Sequence, residues 1–111
     1  SYREVSRCMS VSLPDASTFA GDFAQHLVGW YAEHAADVAA SGGNTLEQAQ
    51  QAIDLGAVTE LVDSSEDPYG HDLSTTQVFS HPDVVFPGSD NVWYGAYDRG
   101  TGELLEIYDF N

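Results

Sequence analysis

The stretch that decides the fold is residues 18–41, TFAGDFAQHLVGWYAEHAADVAAS. When it is wound at about 100° per residue, its bulky side chains fall within an arc of about 120°, and Asp22, Gln25 and Glu33 lie outside that arc. The residues inside the arc are Phe19, Phe23, Leu27, Trp30, Tyr31, His34 and Val38. An apolar face of this kind has to be buried against a second layer. The stretch therefore predicts a long helix that packs on a sheet.

Local signals predict where this helix starts and stops, and predict a shorter helix after it. The hydroxyl of Ser17 or Thr18 can accept an orphan backbone N–H, so we expect one of them to cap the long helix. Gly42-Gly43 is expected to end it, because glycine tolerates left-handed backbone. The sequence from Thr45 to Gln48 has the form of a capping box and predicts a second helix that stops at Gly56.

The remaining sequence has the patterns of short strands and turns. Alternating apolar residues predict a half-buried strand over residues 3–13. Turn-rich sequence separates three further strand-like pieces, at residues 57–62, 75–79 and 84–86. Residues 92–98 and 103–110 flank the turn sequence Arg99-Gly100-Thr101-Gly102 and predict a β-hairpin with apolar residues on both faces.

Together these elements predict a single α+β domain over residues 1–111. We expect a mostly antiparallel sheet of three to five strands, packed against one long helix and one short helix. The helices would cover one face of the hairpin. If its other face is open, we expect the chain to form a homodimer through this C-terminal hairpin, because exposed strands and apolar patches associate.

The net charge is the unusual feature of the composition. The chain has 18 acidic residues, three Arg and no Lys, which gives a formal charge of −15 and a pI near 4.1. Such a chain is repelled by phosphates, so we expect no direct contact with nucleic acid and none with an anionic membrane. No apolar run approaches the length of a membrane-spanning helix, and polar residues interrupt the sequence after Arg3 and Arg7, so we expect neither a membrane-spanning segment nor a secretory signal. The lone Cys8 cannot form an internal disulfide, and we expect a cytoplasmic protein without a cofactor or bound metal.

A basic surface on a protein partner is the ligand that this charge favours. Fourteen carboxylates and no cation lie between Arg7 and Arg99, dispersed along the chain as is typical of folded elements. Spread over about 6,000 Å² of surface, the net charge reaches about a quarter of the density of duplex DNA. Imitation of DNA would therefore require the acids to be gathered on one face. The densest acidic segment and two aromatic residues are the candidate partner-binding residues: Asp54, Glu60, Asp63, Glu66, Asp67, Asp72, Trp93 and Tyr94.

These observations predict a non-enzymatic inhibitor or immunity-type protein that occludes a basic surface, which could belong to a nucleic-acid-binding protein. In size, acidity and α+β pattern the chain resembles small phage or plasmid anti-defence proteins, such as anti-CRISPR or anti-restriction proteins, and toxin-immunity proteins. That likeness is one of composition and carries no motif. It therefore implies the function class alone and transfers no residue.

Two alternatives stay open. The first is a salt-adapted acidic domain without a dedicated partner. The lack of Lys and the excess of Asp over Glu agree with this hypothesis. The second is a small metal-binding or enzymatic domain. Seven potential ligands crowd into a short stretch, although their spacing matches neither a calcium loop nor a zinc helix: Asp63, Glu66, Asp67, His71, Asp72, His81 and Asp83.

Overall fold

The computed structural model describes residues 12–110. The strand predicted over residues 3–13 falls, except for its last two positions, outside this range. The order of elements is helix α1 (Ala16–Ala40), helix α2 (Leu46–Gln51), and strands β1 (Thr59–Glu60), β2 (Thr76–Pro82), β3 (Val92–Asp98) and β4 (Leu104–Phe110). Two short 3₁₀ turns, Leu55–Ala57 and Ser64–Glu66, lie on either side of β1.

Helix α1 starts earlier than the sequence pattern predicts. The prediction that Ser17 or Thr18 caps it is wrong, because the carboxylate of Asp15 accepts the N–H of Thr18 at 2.9 Å and also its hydroxyl at 3.0 Å. A carboxylate in this position satisfies an orphan donor as a hydroxyl would. The predicted end is confirmed, since Gly42 follows the helix with φ +77°. The capping box of α2 is confirmed as well, with Thr45 and Gln48 bonded reciprocally. The predicted end at Gly56 is wrong, since α2 ends at Gln51 and Gly56 lies in a separate 3₁₀ turn capped by Asp54.

The four strands form one antiparallel sheet in the order β1-β2-β3-β4. The predicted hairpin of β3 and β4 is confirmed, with a register shift at Ala96 and Tyr97. The strand predicted over residues 84–86 is wrong: Val84 and Val85 are buried, but the carboxylate of Asp83 accepts the Val85 N–H and holds a turn there. The architecture is the predicted α+β class, with a long helix, a short helix and an antiparallel sheet.

The apolar face of α1 packs on one side of this sheet. Its buried side chains all belong to the predicted arc: Phe19, Phe23, Leu27, Tyr31 and Val38. They pack with Phe79, Trp93 and Tyr97 of β2 and β3 in the larger core cluster. Helix and sheet approach most closely at Gly95, where a Cβ atom would lie 2.5 Å from the ring of Phe19. A residue without a side chain is therefore required at this position.

The other side of the sheet is covered by irregular chain. Residues 61–75, here called the covering segment, place Leu61 and Leu73 against Val78 of β2 and against Tyr94 and Tyr108 of the hairpin. The covering segment thus covers part of the second face, while Leu104, Leu105 and Phe110 of β4 stay exposed, and homodimerisation through the hairpin remains a prediction. Among residues 12–110, no helix is apolar enough over a sufficient length to cross a membrane.

Candidate protein-binding surface

The aspartates of the covering segment hold its turns. Asp63, Asp67 and Asp72 each accept the backbone N–H two residues further along the chain, at 3.0, 2.9 and 3.0 Å. These donated hydrogen bonds favour the charged carboxylates and lower the pKa of Asp63, while the hydroxyl and N–H of Ser74 lower the pKa of Asp72. Three of the predicted contact residues are thus part of the local structure, each with its charge retained.

Asp67 is the centre of a buried hydrogen-bond network. Its carboxylate accepts hydrogen bonds from the N–H of Tyr69, from the N–H of His71 at 2.8 Å and from the Tyr108 hydroxyl at 3.2 Å. It also lies 2.7 Å from Nδ1 of His71. Burial acts to raise the pKa of Asp67, but these donors outweigh it and leave the pKa lowered. Because its side chain is fully buried, Asp67 cannot touch a partner directly.

His71 joins this network to the edge strand. Its Nδ1 faces Asp67, and its Nε2 lies 3.1 Å from Oε2 of Glu106 on β4. An imidazole held by a carboxylate at Nδ1 is the arrangement of an acid–base dyad. Here the second nitrogen meets another carboxylate, and within residues 12–110 no hydroxyl nucleophile is bonded to it. The geometry therefore ties the covering segment to β4.

The other acidic candidates differ in their accessibility. Asp54 accepts the N–H of Gly56 at 2.9 Å and so caps the turn before β1. Glu60 lies 3.5 Å from Nη2 of Arg99. Glu66 is exposed, and among the described residues its carboxylate has no hydrogen-bond or ion-pair partner. Glu66 is thus the candidate whose charge is most available to a partner.

Neither aromatic candidate is accessible. Trp93 is 1% exposed and belongs to the core beneath α1, and Tyr94 is 8% exposed and lies under the covering segment. Burial raises the pKa of Tyr94, and the charges of Asp67 and Glu66 raise it further. Glu66 belongs to the covering segment and so lies on this side of the sheet. Both aromatic residues are buried because the sheet is covered on both faces, so we do not retain them as contacts.

Two other aromatic residues are exposed on this side. Tyr69 is 51% exposed and Phe110 is 49% exposed. The ring of Tyr69 lies 4.1 Å from that of Tyr108 and 6.2 Å from that of Phe110, and its hydroxyl donates to the carbonyl of Asp109 at 3.1 Å. Because alternate side chains of a strand lie on the same face, the sequence indicates that Phe110 lies beside Tyr108 on β4. Nothing in the sequence indicates that Tyr69 would reach across to β4.

Exposed acidic and aromatic side chains thus occur together on the side of the sheet that the covering segment occupies. We call Glu66, Tyr69, Glu106 and Phe110 the acidic-aromatic surface. The one Lys or Arg in residues 12–110 is Arg99, and it is bound to Glu60 and to the carbonyl of Leu73. Within the same range, no group of three His, Cys, Asp or Glu side chains is arranged to hold a metal ion.

Comparison of the chain with protein-family models, with curated proteins and with solved structures finds no significant match.

Proposed function

We propose that this chain is a non-enzymatic inhibitor or immunity-type protein that occludes a basic surface on a protein partner. The observation that carries the proposal is the uncompensated charge: all the acidic residues except Glu4 lie in the described part of the chain, and its one Arg is already paired with Glu60. Exposed carboxylates of this number raise the rate of encounter with a positive surface and repel negative ones.

The acidic-aromatic surface is the contact site that we propose. Tyr and Trp are enriched among residues that dominate binding energy, and an exposed aromatic pair flanked by carboxylates combines anchoring with charge complementarity. Tyr69 is held by its hydrogen bond to β4 and by ring contacts, so little side-chain entropy remains to be lost when a partner binds it. The carboxylates of Glu66 and Glu106 supply the partners for Lys and Arg.

The distribution of the carboxylates over the sheet indicates which class of partner fits best. Carboxylates lie on both sides of the sheet, with Asp22 and Asp109 on the α1 side and Glu66 and Glu106 on the other. This arrangement favours a basic protein surface over imitation of a whole duplex. If the partner binds nucleic acid, the carboxylates would take the place of phosphates, as an anti-defence role such as anti-CRISPR or anti-restriction requires. A toxin-immunity role requires only that the surface of the toxin be occluded. The lone Cys8 supports action in the cytoplasm.

The experiment compares two single charge reversals on the tagged full chain. Glu66→Lys lies in the proposed site, and Glu47→Lys is an equal change of charge on α2. Extracts of cells that express the protein natively are passed over each form, and retained proteins are identified and then titrated at several salt concentrations. We expect the wild type and Glu47→Lys to retain a basic protein with similar affinity. Glu66→Lys should bind that protein several-fold more weakly, and its affinity should depend less steeply on salt concentration.

Two results would contradict the proposal at different levels. Equal retention by Glu66→Lys and Glu47→Lys would remove the acidic-aromatic surface from the contact while leaving a basic partner in place. Retention of no basic protein by the wild type would overturn the function itself.

A further inference from the structure

A small cavity lies on the α1 side of the sheet, at the end where β3 begins and β4 finishes. Its volume is about 200 Å³, below the roughly 300 Å³ at which pockets for drug-sized ligands begin. It is therefore of a size for one side-chain head group. The residues that line it are Trp30, Asp83, Val85, Phe86, Ser89, Asn91, Trp93 and Asp109.

The polar groups of this cavity are mainly hydrogen-bond acceptors. The carboxylate of Asp83 is fixed by the N–H of Val85 at 2.8 Å and by Nε1 of Trp93 at 3.2 Å. The carboxylate of Asp109 has one hydrogen bond to described residues, a long one of 3.4 Å from Nδ2 of Asn91. The carboxylates of Asp83 and Asp109 thus give this wall more acceptors than donors, which favours a ligand rich in donors.

Two indole rings form the aromatic part of the wall. Trp30 and Trp93 meet at 86° with their centroids 5.6 Å apart. Trp30 is held in place by His34, whose ring stacks on it at 4.5 Å and whose Nδ1 lies 2.8 Å from the Trp30 carbonyl. Indole faces attract cations more strongly than other aromatic rings do. Trp93 is 1% exposed, so the ring that suits a cationic group beside the two carboxylates is that of the partly exposed Trp30.

No Lys or Arg is among the residues that line the cavity. Two histidines lie beside its indole rings: His34 stacks on Trp30 at 4.5 Å, and the ring of His26 is 6.0 Å from that of Trp93. Burial lowers the pKa of His26 although the charge of Asp109 acts to raise it, so the ring is mostly neutral at pH 7. Arg99, the one Lys or Arg among residues 12–110, is paired with Glu60.

We propose that this cavity binds the guanidinium group of an Arg side chain presented by the basic protein partner. A guanidinium carries five donors in a plane, pairs with carboxylates in a fork, and stacks on aromatic rings, whereas an ammonium is a compact and more strongly hydrated charge. The assignment rests on the proposed function and names the chemical group that the partner supplies. Asp109 lies next to Phe110, so the cavity and the acidic-aromatic surface flank the same end of β4.

The test uses the full ¹⁵N-labelled chain and a defined probe, N-acetyl-arginine methylamide. The two tryptophans give separate indole N–H resonances, and both line the cavity. We expect saturable shifts of these two signals with the arginine probe. The citrulline counterpart, which has nearly the same shape and no charge, should bind at least about fivefold more weakly. The lysine counterpart should be weaker than arginine.

Two variants locate the binding. Asp109→Asn removes the free carboxylate and nearly preserves its shape, and we expect affinity for the arginine probe to fall at least about fivefold. Glu103→Gln makes the same change of charge before β4 begins, away from the cavity, and should leave the affinity unchanged. Equal binding of arginine and citrulline, or equal affinity of Asp109→Asn and wild type, would overturn the assignment. So would an equal response of both indole signals to Ca²⁺.

Failure of this inference and failure of the proposed function give different results. If a basic partner is captured but the arginine probe leaves the indole signals unmoved, the partner binds without this cavity. If the probe binds and no basic protein is retained, the cavity stands as a cation site and the inhibitor function does not.

Discussion

The carboxylate of an aspartate lies one methylene from its own backbone, so it can accept the N–H of the residue two or three positions further along. Seven of the eleven aspartates make a bond of this kind: Asp15, Asp54, Asp63, Asp67, Asp72, Asp83 and Asp98. None of the described glutamates does. The excess of Asp over Glu therefore has a cause in turn chemistry and is not by itself a sign of salt adaptation.

Asp67 is the aspartate whose loss should cost most. Asp67→Asn replaces one acceptor oxygen by an amide donor, which leaves a buried N–H or hydroxyl unpaired in the network with His71 and Tyr108. We expect the free energy of unfolding at pH 7 to fall by about 1–3 kcal/mol, measured by urea denaturation. Glu66→Gln removes the neighbouring charge without touching a described partner and should change stability by less than about 0.5 kcal/mol.

The same pair of proteins should show a distinct dependence on pH. The folded-state pKa of Asp67 is lowered, so its contribution to stability is fully present above the ordinary value near 3.8 and is lost as the pH falls through the folded-state value. We expect the difference in unfolding free energy between wild type and Asp67→Asn to shrink as the pH falls below about 4. A difference that stays constant down to pH 2.5 would show that the charge of Asp67 is not what stabilises the segment.

At the scale of elements, α1 and the hairpin could be predicted because each has one strong periodic signal. Residues 84–86 could not, because apolar residues indicate burial, and the carboxylate of Asp83 decides that this buried piece is a turn. Which carboxylates are free to contact a partner could not be predicted either, since an acidic side chain in this turn-rich segment either caps a turn, as that of Asp63 does, or makes no bond to a described residue, as that of Glu66 does.

Contact between α1 and β3 gives a matched pair of glycine variants. Gly95→Ala places a Cβ atom 2.5 Å from the Phe19 ring, so the helix has to move, and we expect a loss of about 1–3 kcal/mol. Gly29→Ala lies within α1, and no atom lies within 4 Å of the new Cβ. This variant should raise the free energy of unfolding by as much as about 1 kcal/mol, because alanine has the higher helix propensity. Thermal unfolding followed by circular dichroism measures both. A destabilising effect from both variants would argue that the helix, and not its contact with β3, is being disturbed.

For the whole molecule, the salt dependence of stability distinguishes a charge that serves a partner from one that serves a salty environment. Hydrogen bonds to turn aspartates act at short range, and only the long-range repulsion between carboxylates is screened by salt. We expect the chain to be folded in about 10 mM KCl, with a melting temperature that rises to about 150 mM and then levels off, because the screening length has by then fallen to about 8 Å. A melting temperature that climbs steadily to molar KCl would support the salt-adapted alternative.

Arg99, the one Lys or Arg among residues 12–110, also limits where a protease specific for basic residues can cleave this region. Trypsin cuts only after Lys and Arg, and within residues 12–110 the one such bond follows Arg99, in the turn that joins β3 to β4. That side chain is held by Glu60 and by the Leu73 carbonyl, and its N–H is bonded to Thr75. Cleavage at this one bond would sever the edge strand, so the rate of tryptic digestion reports the opening of the hairpin and of the covering segment from a single site.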